Sequence, residues 1–205
     1  MRTFAKSAAS DDYELPPAGT QVGTLTVFAC LGRHISTWQG VARERELCGL
    51  QYELTEPGTD GRPLAVNEIL TLSMNERATL FARIVALFGG SEPPRGFDLA
   101  KLLGRAGIVT VTHVTKPDGK TFANVAGLTP LLRGMSPPGV SAGLVFYDID
   151  EHNEEAYAAL PGRFRKMVDN AIDQTAPAPV APARPAPRQP GPPPARHDFD
   201  DDIPF

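Results

Sequence analysis

The chain has 205 residues, of which 41% are hydrophobic, and a formal net charge of −4. That length admits one ordinary domain plus tails, but 21 prolines are too many for one compact unit. No stretch approaches 18 apolar residues and Met1–Ser7 has no apolar run, so neither a membrane span nor a secretory leader is expected, and a cytoplasmic protein with no membrane partner is.

The mild acidity counts a little against nucleic-acid binding, although a basic stripe can coexist with an acidic total. The cysteines, Cys30 and Cys48, fall in apolar strand-like runs and form no C-x-x-C. His34, His113, His152 and His197 are scattered without ligand spacing, so no metal or other cofactor is expected.

Residues 1–18 are polar, end before Gly19 in two prolines and an alanine, and read as a loose arm. A strand follows, with Leu25, Val27, Ala29 and Leu31 at period two. Gly23 interrupts the pattern and suits a bulge or a close backbone approach. Residues 32–45 read as a loop carrying Arg33, His34, Trp38, Arg43 and Arg45. The second strand aligns Cys48, Leu50, Tyr52 and Leu54, which favours a core position for Tyr52. After the turn-rich 57–61, with Arg62 beside it, a third strand aligns Leu64, Val66, Leu70 and Leu72.

The period then changes. Ser73-Met74-Asn75-Glu76 has the form of a capping box, followed by Leu80, Phe81, Ile84, Val85 and Phe88 at helical spacing and a Gly89-Gly90 stop. A short helical turn is expected over 97–104. A Val- and Thr-rich strand over 108–115 leads into Lys116-Pro117-Asp118-Gly119, a turn in which Pro117 fixes φ and Gly119 takes the left-handed conformation. The strand over 120–128 runs back antiparallel.

Three strands, a helix and two strands is the order of an OB-fold. The expected domain is therefore mainly β: a five-stranded Greek-key barrel over 19–133 with its helix between strands three and four. Other small β-barrels share enough of this pattern to stay open. Residues 134–174 read as a helical extension, with pieces over 154–160 and 163–172 broken at Pro161-Gly162. Its stripe Phe164, Met167, Val168 and Ile172 is expected to pack on the barrel, or on another subunit, which leaves a homo-oligomer open.

Residues 175–196 hold nine prolines and six alanines, the composition of an extended polyproline-type linker. The end, 197–205, carries Asp198, Asp200, Asp201 and Asp202 among Phe199, Ile203, Pro204 and Phe205. Such a segment cannot bury enough to fold alone. It can be bound: the Phe205 ring suits an apolar pocket, and its carboxylate suits an Arg or Lys at the rim.

The run Asp198–Phe205 resembles the C-terminal tip of bacterial single-stranded DNA-binding proteins. The resemblance implies recruitment of host replication, recombination and repair enzymes. A second resemblance covers much of the folded part. The stretches Pro16-Pro17-Ala18-Gly19-Thr20, Gly96-Phe97-Asp98-Leu99 with Leu103-Gly104, and Gly119-Lys120-Thr121-Phe122-Ala123-Asn124-Val125 are similar to a group of phage-encoded proteins described as OB-fold single-strand binders. It implies a bacterial host cytoplasm and a non-enzymatic, strand-coating role.

Sequence-tolerant binding of a single strand needs positive charge and aromatic platforms. Trp38 is the first candidate, with Arg33, His34, Arg43 and Arg45 in its loop; its other reading is a lid on the barrel end. Phe122 and Lys120, with Lys116 and His113 across the last hairpin, form a second group, unless Phe122 is core. Arg62 suits a phosphate.

Catalytic patterns are missing. Gly119-Lys120-Thr121 lacks the earlier glycine of a phosphate-binding loop, because Val114 stands there. Asp148-Ile149-Asp150-Glu151-His152 reads as a charged surface run rather than a nuclease centre. Two rivals to strand coating remain: an adaptor or decoy acting through the tip without DNA, and a strand-annealing recombination protein.

Overall fold

The computed structural model describes residues 14–172 except 39 and 142; the expected linker and tip, and residues 1–13 of the arm, lie outside the described residues. In chain order the elements are β1 (Gly19–Trp38), β2 (Val41–Pro57), β3 (Pro63–Thr71), α1 (Thr79–Leu87), a 3-10 turn (Leu99–Leu102), β4 (Ala106–Thr115), β5 (Thr121–Pro130), β6 (Val145–Asp148), α2 (Glu154–Ala159) and α3 (Gly162–Asp169). The protein is mainly β. Its sheet runs β3-β2-β1-β4-β5, all antiparallel, and β6 adds to β1 in parallel. No ladder of hydrogen bonds joins β3 to β5 among the described residues, although their Cα atoms come within 8 Å. Among the described residues no helix is long and apolar enough to cross a membrane.

β1 is central because both of its faces are apolar. Leu25, Phe28 and Cys30 enter one core with Cys48, Leu50, Tyr52, Leu54, Val66, Val109, Val111 and Val125, closed by Leu80, Ile84 and Leu87 of α1. Val27, Ala29 and Leu31 enter a second core with Tyr147, Leu160, Phe164 and Val168. Register shifts between Leu25 and Val27 and between Cys30 and Gly32 set which residues go to which face. At Gly23 a Cβ would stand 2.6 Å from Val109 Cγ2, so the break in the apolar pattern marks a close approach.

Four expectations change. Residues 32–45 are no loop: the pairing of β1 with β2 continues to Trp38 opposite Val41. The run 145–148, inside the expected helical extension, is a sixth strand, because β1 still had a free edge beside Val27–Cys30. The helix starts at Thr79, not at the capping box. Ser73 Oγ accepts from Asn75 N at 3.3 Å and Asn75 Oδ1 from Arg77 N at 2.9 Å, so two successive side-chain turns hold the backbone outside the helix until Ala78. Strands β1 and β2 are also far longer than their apolar runs, because polar residues alternate on in the same ladder.

The extension covers the outer face of β1. Phe164 and Val168 of α3 are buried there, with Met167 partly so. Asn153 caps α2, its Oδ1 accepting from Ala156 N at 3.0 Å. Tyr147 hydroxyl lies 2.9 Å from His152 Nδ1, and Tyr157 donates to Asp169 at 2.5 Å. Burial, then the neighbouring Tyr157, raises the Tyr147 phenol above its usual range.

Candidate nucleic-acid interface

The β1–β2 hairpin is built on alternating charge. Directly opposed residues share a face, and successive residues alternate. The register pairs His34 with Arg45, Ser36 with Arg43 and Trp38 with Val41. These lie at positions of one face. The other carries Arg33 opposite Glu46, Ile35 opposite Glu44 and Thr37 opposite Ala42. Arg43-Glu44-Arg45-Glu46 is thus sorted by the pleat into a basic face and an acidic one.

Arg33 departs from its expected group. It lies on the acidic face, with Nη1 3.7 Å from Glu44 Oε2. A half-exposed pair of this kind contributes little to stability, but it offsets the charge a phosphate would meet. Arg43 and Arg45 are exposed. His34 Nε2 is 3.0 Å from the Leu31 carbonyl; a carbonyl only accepts, so this nitrogen carries the proton. The Trp38 side chain lies outside the described part of the structure, and only its backbone register is fixed.

The remaining candidates gather at the far end of β1 and β2. Gly19 of β1 pairs with Val111, which puts the β4–β5 turn at the start of β1, and Gly23 pairs with Leu54, which puts the β2–β3 turn at the same end. The N-terminal segment ties the two turns. Glu14 Oε2 accepts from Thr59 N at 2.8 Å and from Thr59 Oγ1 at 2.9 Å, while His113 Nε2 meets the Pro16 carbonyl at 2.8 Å.

In the β4–β5 hairpin, Phe122 pairs with Val114, and both are exposed, by 41% and 50%. Phe122 is therefore not core. Lys116 Nζ stands 4.7 Å from the centre of its ring, a cation–π contact. His113 pairs with Ala123 on the opposite face and is held by Pro16, so it does not join this platform. Lys120 sits in the turn, its backbone nitrogen donating to Asp118 Oδ1 at 3.1 Å. Arg62 leans toward Asp60 at 3.7 Å with its side chain 86% exposed.

The structure thus forms two groups, at opposite ends of the long strands: His34, Arg43 and Arg45 at one, Arg62, Lys116, Lys120 and Phe122 at the other. Sequence reading missed Val114 beside Phe122, the charge-sorted hairpin, and a polar cleft between the ends that contains Gln51 and Glu53. The hairpin had a signal: strict sign alternation over Arg43–Glu46 is a period-two pattern written in charge. Tyr52 is wholly buried; burial first, then Glu68, raises its phenol well above the usual range, so it stays protonated and donates to Glu68 Oε1 at 2.9 Å.

No family model matches this chain, and no curated protein matches its sequence.

Proposed function

We propose that the chain is a single-stranded DNA-binding protein: an OB-type barrel that coats the strand during replication, recombination or repair, joined by its Pro-rich linker to a tip that recruits partner enzymes of a bacterial host. The role is binding, without a catalytic step. Three features support the barrel. The strand order β3-β2-β1-β4-β5 and the helix between β3 and β4 are those of the OB arrangement. The two end strands, β3 and β5, approach each other. Arg83 of α1 spans them, bonding Glu68 of β3 and the Val125 carbonyl of β5.

The observation that carries DNA binding is the hairpin register, which lines His34, Arg43 and Arg45 along one face and turns Glu44 and Glu46 away. Phosphates bind such a row, and Phe122 with its Lys116 neighbour offers a ring for one base. The terminal run Asp198–Phe205, by its likeness to the tip of bacterial single-strand binders, supports the recruiting role.

The test is a salt titration of binding to a mixed-sequence oligonucleotide, by anisotropy, with full-length protein and with residues 198–205 deleted. Each phosphate contact contributes a slope of about −0.7 in log K against log salt. The expected result is a slope of several contacts, with tighter binding at low salt once the acidic tip no longer competes for the basic face. Absence of salt-dependent binding in both forms overturns the proposal in favour of an adaptor that works through the tip alone.

A further inference from the structure

The basic face of the β1–β2 hairpin does not end with the hairpin. Alternate residues of a strand share a face, so Arg43, Arg45, Leu47 and Gly49 lie on one side of β2. β2 is unbroken from Arg43 to Gly49, the register shift there falling on β1. Leu47 packs against the second core, and a Cβ at Gly49 would stand 2.8 Å from the Phe164 ring. α3 therefore sits on the face that presents Arg43 and Arg45. At about 3.3 Å per residue, Gly49 lies about 13 Å along β2 from Arg45. Glu44 and Glu46 are on the other side, which continues into Cys48 and Leu50 of the first core.

α3 carries three cations within four residues, Arg163, Arg165 and Lys166. All three are exposed, whereas Phe164 and Val168 are buried against the sheet. Lys166, two residues from each of these, is at the centre of the outward arc. None of the three forms an ion pair among the described residues. Asp169 follows Arg165 by four residues, the spacing of a helical ion pair, but its Oδ1 accepts from the Tyr157 hydroxyl instead. Glu154 and Glu155 sit in the first turn of α2, where the helix dipole favours acids. α3 is built the other way: its first turn holds no acid and carries Arg163, where the dipole disfavours a cation.

Neither ion pairing nor the dipole accounts for these charges, and an anionic ligand does. Continuity with the hairpin decides which one. A strand brings a run of phosphates that can follow one basic surface from β2 onto the extension. Resting on the proposed single-strand binding, we infer that α3 is a second phosphate-binding surface, over which the strand continues from the hairpin with Arg163, Arg165 and Lys166 as its contacts.

The test is a salt titration of binding to a mixed-sequence oligonucleotide, on the full chain and on the chain lacking residues 198–205. Two variants are compared with the parent, Lys166→Gln alone and Arg163→Gln with Arg165→Gln and Lys166→Gln. The slope of log K against log salt is expected to fall by about 0.7 in the single variant and by about 2.1 in the triple variant, with or without the tip. The single variant changes only the side chain farthest from the buried face, so it reports even where the triple variant fails to fold. A slope left unchanged by Lys166→Gln overturns the α3 surface while leaving the proposed function standing. A loss confined to the form that keeps residues 198–205 assigns these cations to the acidic tip and overturns it too. Failure of the parent to bind any strand overturns the proposed function itself.

Discussion

Arg83 holds the Glu68 carboxylate in a fork, Nε at 3.1 Å from Oε1 and Nη2 at 3.2 Å from Oε2, with both side chains at most one-tenth exposed. Nη2 also donates to the Val125 carbonyl at 3.2 Å, and Tyr52 donates to Oε1. The pair thus links α1, β2, β3 and β5, where Cα atoms of the two end strands come within 8 Å of each other. Buried ion pairs gain little over apolar packing but are expensive to break singly, because one charge is left behind. Arg83→Met is expected to cost about 3–5 kcal/mol. The double variant Glu68→Gln, Arg83→Met is expected to cost less than the sum of the two single changes, since neither charge is then orphaned. Urea denaturation of the three variants measures this, and additive losses would refute a coupled pair.

Gly49 and Phe164 make a second close relationship. A Cβ at Gly49 would stand 2.8 Å from the Phe164 ring, so α3 docks on β2 only where the side chain is missing. Gly49→Ala is expected to destabilise by about 1–3 kcal/mol through overpacking. Phe164→Ala is expected to cost about 3–5 kcal/mol by leaving a cavity in the second core. If the extension were loosely attached, both changes would leave the melting temperature within a degree or two.

The two thiols carry a pH prediction. Cys30 and Cys48 face each other in the register and are buried and free. Burial first, then Asp148 and Glu46, pushes the Cys30 thiol up to about 12; burial first pushes Cys48 higher still. The thiolate is the reactive form, so the native protein is expected to resist thiol reagents at pH 8 and to label at both positions once unfolded. Both folded values lie above the unfolded value of 9.0. The unfolded chain therefore loses its protons first. This contribution to stability is full below pH 9 and declines as pH rises from there toward 12. Fast native labelling at pH 8 would show that the thiols are exposed.

Much of the fold was legible because apolar period is a strong signal. Leu25, Val27, Leu50, Val66 and Ile84 announced their strands and helix. The apolar pattern did not announce how far β1 and β2 continue. Beyond Leu31 the ladder runs on polar residues, which period-two hydrophobicity does not register. Arg33 was grouped with Arg43 and Arg45 by nearness in the chain, and the pleat separated them. The cleft beside Glu53 was illegible for another reason: it needs Thr26, Gln51 and Ser141, which only the strand pairing and the hydrogen bond from Ser141 to Glu53 bring together. The start of α1 is hidden in the sequence because Ser73 and Asn75 satisfy local turns, which compete with capping at the same residues.

Phe122 separates stacking from charge. Its ring is exposed and its partner across the hairpin, Val114, carries no charge. Phe122→Ala is expected to cost about 1–3 kcal/mol in binding a single strand, with the salt slope unchanged, because a base is lost and no phosphate contact is. Lys116→Ala is expected to reduce the slope by about 0.7 instead. A Phe122 variant that binds like the parent would remove this hairpin from the interface.

The β1–β2 hairpin gives the sharpest test, because its two faces carry opposite charge on adjacent residues. Arg43→Ala with Arg45→Ala removes two cations from one face, and the slope of log K against log salt is expected to fall by about 1.4, at about 0.7 for each lost phosphate contact. Glu44→Gln with Glu46→Gln removes two anions from the other face. If the strand lies only on the basic face, this second change costs no affinity and steepens the slope slightly, because the long-range repulsion it removes is felt at low salt and screened at high salt. All four side chains are exposed, so stability is expected to change by no more than about 0.5 kcal/mol in either variant. Two variants differing by one step along β2 are thus predicted to behave oppositely. Equal losses from both would mean that the pleat does not sort the interface and that the hairpin acts only through its total charge.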